Sequence, residues 1–421
     1  MLERHISSRL LEALADSPVV LLHGARQTGK STLVQHITAT EHPARYLTLD
    51  DAAVLGAAAA DPAGFLAGIE GPIALDEVQR APELFLAIKA DVDRNRKPGR
   101  YLLTGSANVL MLPKLSESLA GRMEILPLWP LSQGEIAGKR ETFIDILFAD
   151  KPIKAVVGSR NGPALIDRIL RGGYPEAHRR EAPSRRRAWF NSYISTILQR
   201  DVRDLANVDG LSAMPRLLAM LAFRIGALLN QSEVSRSLGM PQTTLKRYMA
   251  LLEATFLVQL LPAWSGNLGK RLVKSPKLYL NDTGLASSLV GQIDERAIGQ
   301  SQLLGPLAEN FVVMELRKQA TWSKIEPGLF HFRTLGGQEV DVVLESPSGD
   351  LVGIEVKTSA TVGAEDFKGL KALSEETGKR FHRGVLLYQG LETVPFGKNL
   401  HAVPMETLWQ SRPDSDGTCN P

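Results

Sequence analysis

Residues 17–37 read SPVVLLHGARQTGKSTLVQHI, in which a short apolar run precedes the pattern Gly24-x-x-x-x-Gly29-Lys30-Ser31 and a stretch of apolar residues at helical spacing. This order of strand, glycine-rich loop and helix is the context that a phosphate-binding P-loop requires. Glycines let successive backbone N–H groups point at phosphate oxygens, and the helix adds the positive end of its dipole. The stretch therefore predicts a nucleoside triphosphate site at the edge of a parallel α/β sheet.

The predicted ligands of this loop are ATP and Mg²⁺. We expect the Lys30 amine to reach the β- and γ-phosphates and the Ser31 hydroxyl to hold Mg²⁺. The residues that the pattern predicts to bind the nucleotide are Gly24, Ala25, Arg26, Gln27, Thr28, Gly29, Lys30, Ser31 and Thr32, together with Asp76 from a later strand.

A pair of acids follows a second apolar run in GPIALDEVQRAPELF, residues 71–85. A P-loop ATPase needs a carboxylate at the end of a neighbouring buried strand, so we expect Asp76 to hold the Mg²⁺ shell. Glu77 would then orient and deprotonate the attacking water. The alternative is a strand that ends in two solvated acids, which the upstream P-loop disfavours.

Further candidate catalytic residues lie in GRYLLTGS, residues 99–106, and in LAGR, residues 119–122. Residues beyond the carboxyl ends of parallel strands line the ligand crevice, so we expect Thr104 or Ser106 to contact the γ-phosphate or the lytic water. Either residue could instead cap the next helix. Arg122 precedes another strand, where it would serve a neighbouring subunit as an arginine finger or form a structural salt bridge. The finger role requires a homo-oligomer.

Basic charge is concentrated in the middle of the chain. Residues 160–250 hold 15 Arg and Lys against 7 Asp and Glu, whereas the whole chain has a net charge of only +3. This excess indicates a polyanion partner, which we expect to be DNA, although an arginine-rich solvated face is the simpler interpretation. The run NQSEVSRSLGMPQTTLKRYMALLEATF, residues 230–256, predicts a helix-turn-helix, with a packing module that never touches DNA as the alternative. The residues expected at the exposed start of its second helix are Gln242, Thr243, Thr244, Lys246 and Arg247.

Near the C-terminus, residues 336–359 read GGQEVDVVLESPSGDLVGIEVKTS. Asp341 lies on one predicted strand, and Glu355 and Lys357 lie two residues apart on one face of the next. A tight turn at SPSGD would bring both carboxylates to a second divalent metal, with Glu309 as a third acid. Lys357 would then orient the attacking water or stabilise the leaving charge. The alternative is cross-strand ion pairing without catalysis.

The series GARQTGKS, IALDEVQ, LTGS and LAGR, followed by LPLWPLSQGE, resembles the AAA-type ATPases of bacteria and archaea that carry a nuclease-like C-terminal domain of unknown function. The resemblance continues through YISTILQRDVRDL, KLYLNDTGLAS and GPLAENFVVMEL to EVDVVL and IEVKTS, where the acid and acid-x-lysine are similar to the restriction-endonuclease-like motif. It implies an α/β protein with a five-stranded ATPase core. The implied domains are a P-loop AAA-type ATPase over 1–148, a helical lid or linker over 149–225, a winged-helix-like segment over 226–300, a restriction-endonuclease-like α/β domain over 301–409 and a disordered tail over 410–421.

Three functions are compatible with this organisation. The favoured one is a Mg²⁺-dependent ATPase that couples ATP hydrolysis to a conformational change in DNA-binding or nuclease-like C-terminal modules. The alternative is a nucleotide-switched regulatory or DNA- or protein-binding protein with an inactive nuclease fold, and an ATP-gated metal-dependent nuclease shares the first architecture.

Composition limits these functions further. The chain lacks an apolar run near the roughly 18 residues that span a bilayer, and its start does not resemble a signal peptide, so we expect a cytoplasmic protein without a membrane partner. The single cysteine, Cys419, excludes an intrachain disulfide and a cysteine metal cluster.

Overall fold

The computed structural model describes residues 2–106, 119–153, 164–202, 211–291, 294–299 and 301–410. Most of the predicted tail, including Cys419, lies outside the described residues. Gln410, which the sequence assigned to the tail, is the last residue of the final helix.

Five parallel strands form the N-terminal sheet. They are β1 (Val19–His23), β2 (Arg45–Thr48), β3 (Ile73–Asp76), β4 (Tyr101–Gly105) and β5 (Met123–Pro127). Their order is β2-β3-β4-β1-β5, so the carboxyl ends of β1, β3 and β4 meet at one edge. All five residues of the central strand β1 are buried, as expected for a parallel strand that is covered on both faces. The predicted five-stranded parallel core is confirmed.

Helices cover the two faces of this sheet and form two separate cores. The helices are α1 (Ser7–Asp16), α2 (Lys30–Ala39), α3 (Ala52–Ala60), α4 (Pro62–Ala67) and α5 (Leu84–Arg94). Apolar residues of α1 and α2 pack with one face of β1, and those of α3, α4 and α5 pack with the other. Alternate residues of β1 therefore enter different cores, which fixes the strand in the middle of the layer.

The middle of the chain is helical, as the sequence predicts. After the sheet come α6 (Gln133–Ala137), α7 (Phe143–Phe148), α8 (Leu165–Arg171), α9 (Pro175–His178), α10 (Pro183–Thr196), a π-helical turn at Ile197–Asp201, and α11 (Met214–Ala222).

The predicted helix-turn-helix consists of α12 (Gln231–Leu238) and α13 (Gln242–Ala254). Gly239 joins them with a φ of 64°, a left-handed conformation that favours glycine. The chain continues through β6 (Val258–Leu261), α14 (Leu268–Val273) and β7 (Lys277–Leu280), then α15 (Thr283–Leu289) and α16 (Glu295–Gly299); β6 and β7 pair antiparallel. The winged-helix assignment stays a prediction.

The C-terminal part is a long helix and a six-stranded mixed sheet. Its elements are α17 (Leu304–Gln319), β8 (Gly328–Arg333), β9 (Glu339–Glu345), β10 (Leu351–Val356), α18 (Lys368–Thr377), β11 (Phe381–Tyr388), β12 (Val394–Pro395), β13 (Leu400–Pro404) and α19 (Thr407–Gln410). The strand order is β12-β13-β11-β10-β9-β8. The predicted succession of helix, three strands, helix and strand is present, while its assignment to the restriction-endonuclease-like class stays a prediction.

One continuous hydrophobic core joins the helical middle to the C-terminal sheet through α17. Apolar side chains on the other face of the C-terminal sheet pack with α18 in a further core. Among the described residues, no helix combines the length and the apolar character needed to cross a bilayer.

Candidate functional site

The loop between β1 and α2 has the backbone that phosphate binding requires. Gly29 lies directly before α2 with a φ of 95°, and Gln27 has a φ of 64°. A Cβ on Gly24 would lie 2.2 Å from the carbonyl oxygen of Leu128, so only glycine fits there. The loop therefore curls tightly at the positive end of α2, where backbone N–H groups can face an anion.

Lys30 is the buried cation of this loop. Its ammonium donates hydrogen bonds to the carbonyl oxygens of Gly24 (3.0 Å) and Ala25 (2.9 Å). Thr28 is also buried, and its hydroxyl donates to the same Ala25 carbonyl at 3.0 Å. These contacts hold the lysine above the loop, within the set of residues that the sequence predicts to bind phosphate.

Asp76 lies at the carboxyl end of β3 and faces the P-loop. The Ser31 hydroxyl donates to its two carboxylate oxygens at 3.0 and 2.9 Å. Thr104, at the end of β4, donates to Asp76 as well, and the Tyr46 hydroxyl does so at 2.9 Å. Three hydroxyl groups therefore surround one carboxylate at the edge where the strands end.

Glu77 follows directly and has a strained backbone, with a φ of 59°. Its backbone N–H donates to the Thr104 hydroxyl at 3.0 Å, and the Ser106 hydroxyl donates to its carboxylate at 3.1 Å. Gln79 donates to the same carboxylate oxygen. A residue held in a left-handed conformation by several contacts is typical of functional sites, because the surrounding structure must supply the strain energy.

Thr104 and Ser106 thus contact the two acids directly. The sequence predicted that one of them would contact the γ-phosphate or the lytic water, and that role stays a prediction. In the protein itself, Thr104 bridges Asp76 and Glu77, whereas Ser106 holds the Glu77 carboxylate. Both hydroxyls fix the positions of the carboxylates.

The P-loop edge fits Mg²⁺ by the chemistry of its donors. Ser31 and Asp76 present hydroxyl and carboxylate oxygens within 3.0 Å of each other. Mg²⁺ prefers such oxygen ligands and is commonly held by one or two protein groups plus phosphates. These two residues are therefore the ones that would hold the ion.

Two contacts at this site had no signal in the sequence. Arg4 donates to the Thr28 carbonyl at 2.7 Å, to the Trp129 carbonyl at 2.7 Å and to Glu135 at 3.0 Å, so it ties the P-loop to the segment after β5. The second contact is the hydrogen bond from Tyr46 to Asp76. Burial, followed by the nearby Asp76 charge, raises the pKa of the Tyr46 hydroxyl to about 12. A lone arginine near the start and a tyrosine on an edge strand carry no motif.

Arg122 lies at the amino ends of the strands, opposite to the end at which the P-loop lies. The following residue, Met123, pairs with Val19 at the start of β1, and the P-loop follows the end of that strand. The Arg122 guanidinium forms an ion pair with Asp93 and donates to the Ala120 carbonyl at 3.0 Å. The salt bridge that the sequence offered as the alternative is present, and the finger role stays a prediction that needs a second copy of the chain.

The P-loop also contacts the middle of the chain. His23 is the last residue before Gly24, and its ring lies edge-on to Phe256 with the centroids 5.2 Å apart. Burial, with a smaller effect of Lys30, lowers the pKa of His23 to about 4, so this imidazole is neutral. Phe256 has a φ of 61° and lies two residues beyond the end of α13, so the predicted run of residues 230–256 extends past the second helix.

In the C-terminal sheet, the predicted carboxylates do come together. Val342 pairs with Ile354 across β9 and β10, so Asp341 lies opposite Glu355. Both belong to a buried cluster with Glu309 of α17, and Lys357 lies just beyond β10 with its amine 3.4 Å from Glu355.

A lysine that the sequence did not single out occupies the centre of this carboxylate cluster. The ammonium of Lys277, on β7, donates to Glu309 at 2.8 Å and to Asp341 at 3.0 Å, and lies 3.7 Å from Glu339. The other Asp341 oxygen accepts the Val356 backbone N–H at 3.0 Å. Burial lowers the pKa of Lys277, but the carboxylates outweigh burial and raise it above its ordinary value.

Two acids of the cluster, Glu355 and Glu309, have raised pKa values. Burial, followed by the charge of Asp341, raises the pKa of Glu355 to about 9, and the same two causes raise the pKa of Glu309 to about 7. One Glu355 oxygen is buried without a hydrogen-bond partner. Since burial and the Asp341 charge both disfavour its ionised form, Glu355 carries a proton at neutral pH.

The cluster does not fit the second divalent metal that the sequence predicted. Both Asp341 oxygens already accept hydrogen bonds, one of them from the Lys277 ammonium. Throughout the part of the chain that the structure describes, no group of three or more His, Cys, Asp or Glu side chains is arranged to hold a metal ion. An ammonium donates its N–H groups and needs acceptor oxygens, which this cluster provides, whereas a divalent cation needs several free oxygens.

The predicted DNA-facing residues are on the surface. Gln242, Thr243, Lys246 and Arg247 are exposed at the start of α13, and Thr244 is half-buried. The apolar stripe behind them is buried, with Leu245, Tyr248 and Leu252 in the core. The arrangement leaves the polar face of α13 open to a partner.

Comparison of the sequence with known families identifies three domains. An AAA domain matches residues 16–137, and two domains of unknown function, DUF8612 and DUF4143, match residues 162–296 and 304–408. The N-terminal part is therefore an AAA-type P-loop ATPase domain, which is a nucleotide-binding class.

Two curated relatives align with nearly the whole chain. An uncharacterized protein of Mycobacterium tuberculosis is 33% identical over 408 residues, which are 96% of this chain and 84% of the relative. An uncharacterized protein of Mycobacterium bovis matches to the same extent.

Among solved structures, the Walker-type ATPase PABY2304 of Pyrococcus abyssi is similar with a TM-score of 0.44 and 15% identity, over 69% of this chain and 96% of that chain. The RuvB Holliday junction branch migration motor of Thermotoga maritima has a TM-score of 0.29 and 19% identity, over 61% and 89%. A Thermococcus gammatolerans assembly of McrB AAA+ hexamers with bound McrC has a TM-score of 0.20 and 12% identity, over 67% and 74%.

Proposed function

We propose that this chain is a Mg²⁺-dependent ATPase. It belongs to the same protein family as its two mycobacterial relatives and carries an AAA-type ATPase domain. Its nucleotide cycle changes the conformation of a nucleic-acid-handling C-terminal part. The observation that carries the proposal is the chain of hydrogen bonds from Ser31 through Asp76 and Thr104 to Glu77 beside a glycine-rich P-loop.

Binding of ATP would use the loop backbone and Lys30. The ammonium now donates to the carbonyl oxygens of Gly24 and Ala25, and phosphate oxygens are stronger acceptors than these carbonyls. Ser31 and Asp76 are the residues that would hold Mg²⁺. The ion would neutralise charge that develops on the β- and γ-phosphate oxygens.

Hydrolysis would depend on Glu77 as the group that orients and deprotonates water. Its carboxylate accepts from Ser106 and Gln79, and its backbone is tied to Thr104, so it has little freedom to turn away. Such preorganisation lowers the barrier because no contact must rearrange during the reaction. Thr104 and Ser106 act through the acids as positioning residues.

Coupling to the rest of the chain has two physical routes. Phe256, two residues beyond the end of α13, packs on His23 at the entrance of the P-loop, so movement of the loop would reach the helix-turn-helix. On the other route, Lys318 of α17 donates to the Leu131 carbonyl at 3.0 Å, just beyond the ATPase sheet. The first half of the same helix carries Glu309 of the carboxylate cluster.

DNA is the partner that we propose for the exposed face of α13. The face presents hydrogen-bonding and basic side chains, and the surrounding segment has an excess of basic residues. Helices of this kind enter the major groove in helix-turn-helix proteins. A polyanion would be attracted to this segment regardless of base sequence.

One observation favours a second candidate, a nucleotide-switched binding protein with an idle nuclease fold. Lys277 fills the cluster of Glu309 and Asp341, where an ATP-gated nuclease would need a divalent ion. Cleavage by Glu355 and Lys357 would require Lys277 to leave the cluster. The first and second candidates therefore share the ATPase and differ only in what its C-terminal part does.

The experiment is phosphate release by purified protein with ATP and Mg²⁺, with and without supercoiled, linear or single-stranded DNA. We expect turnover that DNA stimulates and that Lys30→Ala and Glu77→Gln abolish, whereas Glu83→Gln, at an exposed acid seven residues from Asp76, is active. Absence of turnover from the wild-type protein under all these conditions contradicts the ATPase proposal.

The same reactions distinguish the candidates by inspection of the DNA. The nucleotide-switched binding protein is supported if DNA does not change the rate of ATP hydrolysis and the DNA stays uncut in both Mg²⁺ and Mn²⁺. Cuts that disappear in both Asp341→Ala and Lys357→Ala would mean that the nuclease fold is active.

A further inference from the structure

A cleft of about 380 Å³ lies where the segment after α7 meets the amino end of β11 and the loop before β13. We call it the basic cleft. Four cationic side chains and two carboxylates line it, namely Lys151, Lys379, Arg383 and Lys398, with Asp150 and Asp350. The cleft shares no residue with the P-loop, the helix-turn-helix or the carboxylate cluster, so none of these sites accounts for its charge.

Arg383 is a fixed positive charge in this cleft. It is buried, and its guanidinium donates to the carbonyl oxygens of Ile146 (3.3 Å), Ala149 (2.8 Å) and Lys151 (2.9 Å). Carbonyls orient a guanidinium without neutralising it. Among the described residues, no carboxylate forms an ion pair with it. Burial lowers the pKa of Arg383, and the charge of Asp150, in the same cleft, only partly offsets this effect.

The lysines at the opening of the cleft are also without acidic partners. Lys151, Lys379 and Lys398 are exposed, and none of them makes an ion pair with any residue that the structure describes. Neighbouring surface cations differ in this respect, since Arg380 pairs with Glu345 at 2.6 Å. With four cationic side chains against two carboxylates, the lining keeps an excess of positive charge, which favours an anionic ligand.

Two imidazoles of the lining have ring nitrogens without hydrogen-bond partners. His382 and His401 line the cleft, and each has a buried ring nitrogen without a partner. Burial, followed by the charge of Arg383, lowers the pKa of His401, so this ring is neutral and can donate one N–H. Buried polar groups in proteins are normally satisfied, and unsatisfied ones need an explanation such as a ligand.

We propose that the basic cleft binds a phosphate-bearing anion, either a free polyphosphate or nucleotide, or the backbone of a nucleic acid strand. Its volume lies within the range of about 300–1,000 Å³ that is typical of small-ligand sites. Arg383 would hold one phosphate from the floor, and the three lysines would close around it from the opening. A ligand there contacts both the segment behind the ATPase domain and the C-terminal sheet, and would thus hold them together.

The test compares three full-length proteins. They are the wild type, the cleft variant Lys379→Glu with Lys398→Glu, and a control variant with the same charge change at two exposed lysines outside the cleft, Lys324→Glu with Lys371→Glu. Each is titrated with tripolyphosphate by calorimetry and with short fluorescent single-stranded DNA by anisotropy, at constant ionic strength. The P-loop contributes equally to all three proteins, because none of the substitutions lies in the ATPase domain. Equal melting temperatures establish that the variants are folded.

We expect the cleft variant to bind at least one of the two probes about tenfold more weakly than the control variant, because charge-assisted bonds to phosphate are strong. Loss for tripolyphosphate alone identifies a free polyphosphate or nucleotide as the ligand, and loss for DNA alone or for both identifies a nucleic acid backbone. Equal affinities of the cleft and control variants for both probes would overturn the proposal.

Discussion

Substitution of Lys277 by methionine tests the carboxylate cluster most directly. Methionine keeps the length of the side chain but removes the ammonium that lies 2.8 Å from Glu309 and 3.0 Å from Asp341. Removal of one partner from a buried ion pair costs about 3–5 kcal/mol, because the other charge stays buried and unpaired. The Lys277 side chain is only 3% exposed, so we expect this range and not the roughly 0–1 kcal/mol of a surface pair.

The assay is urea unfolding of the wild type, Lys277→Met and the exposed control Lys371→Met, followed by tryptophan fluorescence. Acid should reduce the destabilisation, because protonated carboxyls no longer need a counter-charge. The double variant Lys277→Met with Asp341→Asn should recover part of the lost free energy for the same reason. Lys371→Met should unfold like the wild type.

Two results would refute this account of the cluster. A loss below about 1 kcal/mol in Lys277→Met would place the ammonium in a solvated environment. Stabilisation of the wild type by Mn²⁺ without nucleotide, absent from Asp341→Ala, would mean that a divalent cation displaces the lysine and that the metal site predicted from the sequence exists.

Three further predictions concern single contacts. Thr104→Val removes the hydroxyl between Asp76 and Glu77. We expect kcat for ATP hydrolysis to fall about 10- to 100-fold, while the measured dissociation constant for nucleotide stays unchanged. Phe256→Leu keeps an apolar side chain but loses the edge-on contact with His23, so the free energy of unfolding should fall by about 0.5–1.5 kcal/mol or more, and DNA should no longer stimulate turnover. The pKa of Glu355 is raised in the folded state, so its contribution to stability is present below pH 4.5 and is lost as pH rises towards about 9. Glu355→Gln should therefore lose less stability than the wild type across that pH interval in parallel urea titrations, and equal losses would contradict the raised pKa.

The arrangement of residues at the P-loop edge was largely predictable because its signals are local. Gly24, Gly29, Lys30 and Ser31 lie within one short stretch, where steric limits on the backbone and the start of a helix already define an anion site. Asp76 was recognisable because buried parallel strands are apolar, so that an acid at the end of one stands out. The strand order then brought Asp76 to the P-loop, as expected.

The roles of Thr104 and Ser106 were less predictable, since a hydroxyl beyond a strand can contact a phosphate, a water or another side chain. Their partners, Asp76 and Glu77, became clear only when β3 and β4 lay side by side. Arg122 is a similar case, because its ion pair with Asp93 depends on the packing of α5 beside the start of β5.

By itself, the sequence determined the parallel ATPase core, the position of its glycine-rich loop and the succession of elements from α17 to β11 in the C-terminal part. These properties follow from hydrophobic period, glycine conformation and short-range spacing, which act between residues close together in the chain. Tertiary structure alone decided the nature of the carboxylate cluster. Lys277 lies 64 positions before Asp341 and on a different sheet, so no spacing rule connects them. Burial then made their pairing necessary, because a charge removed from water must find a partner wherever the fold supplies one.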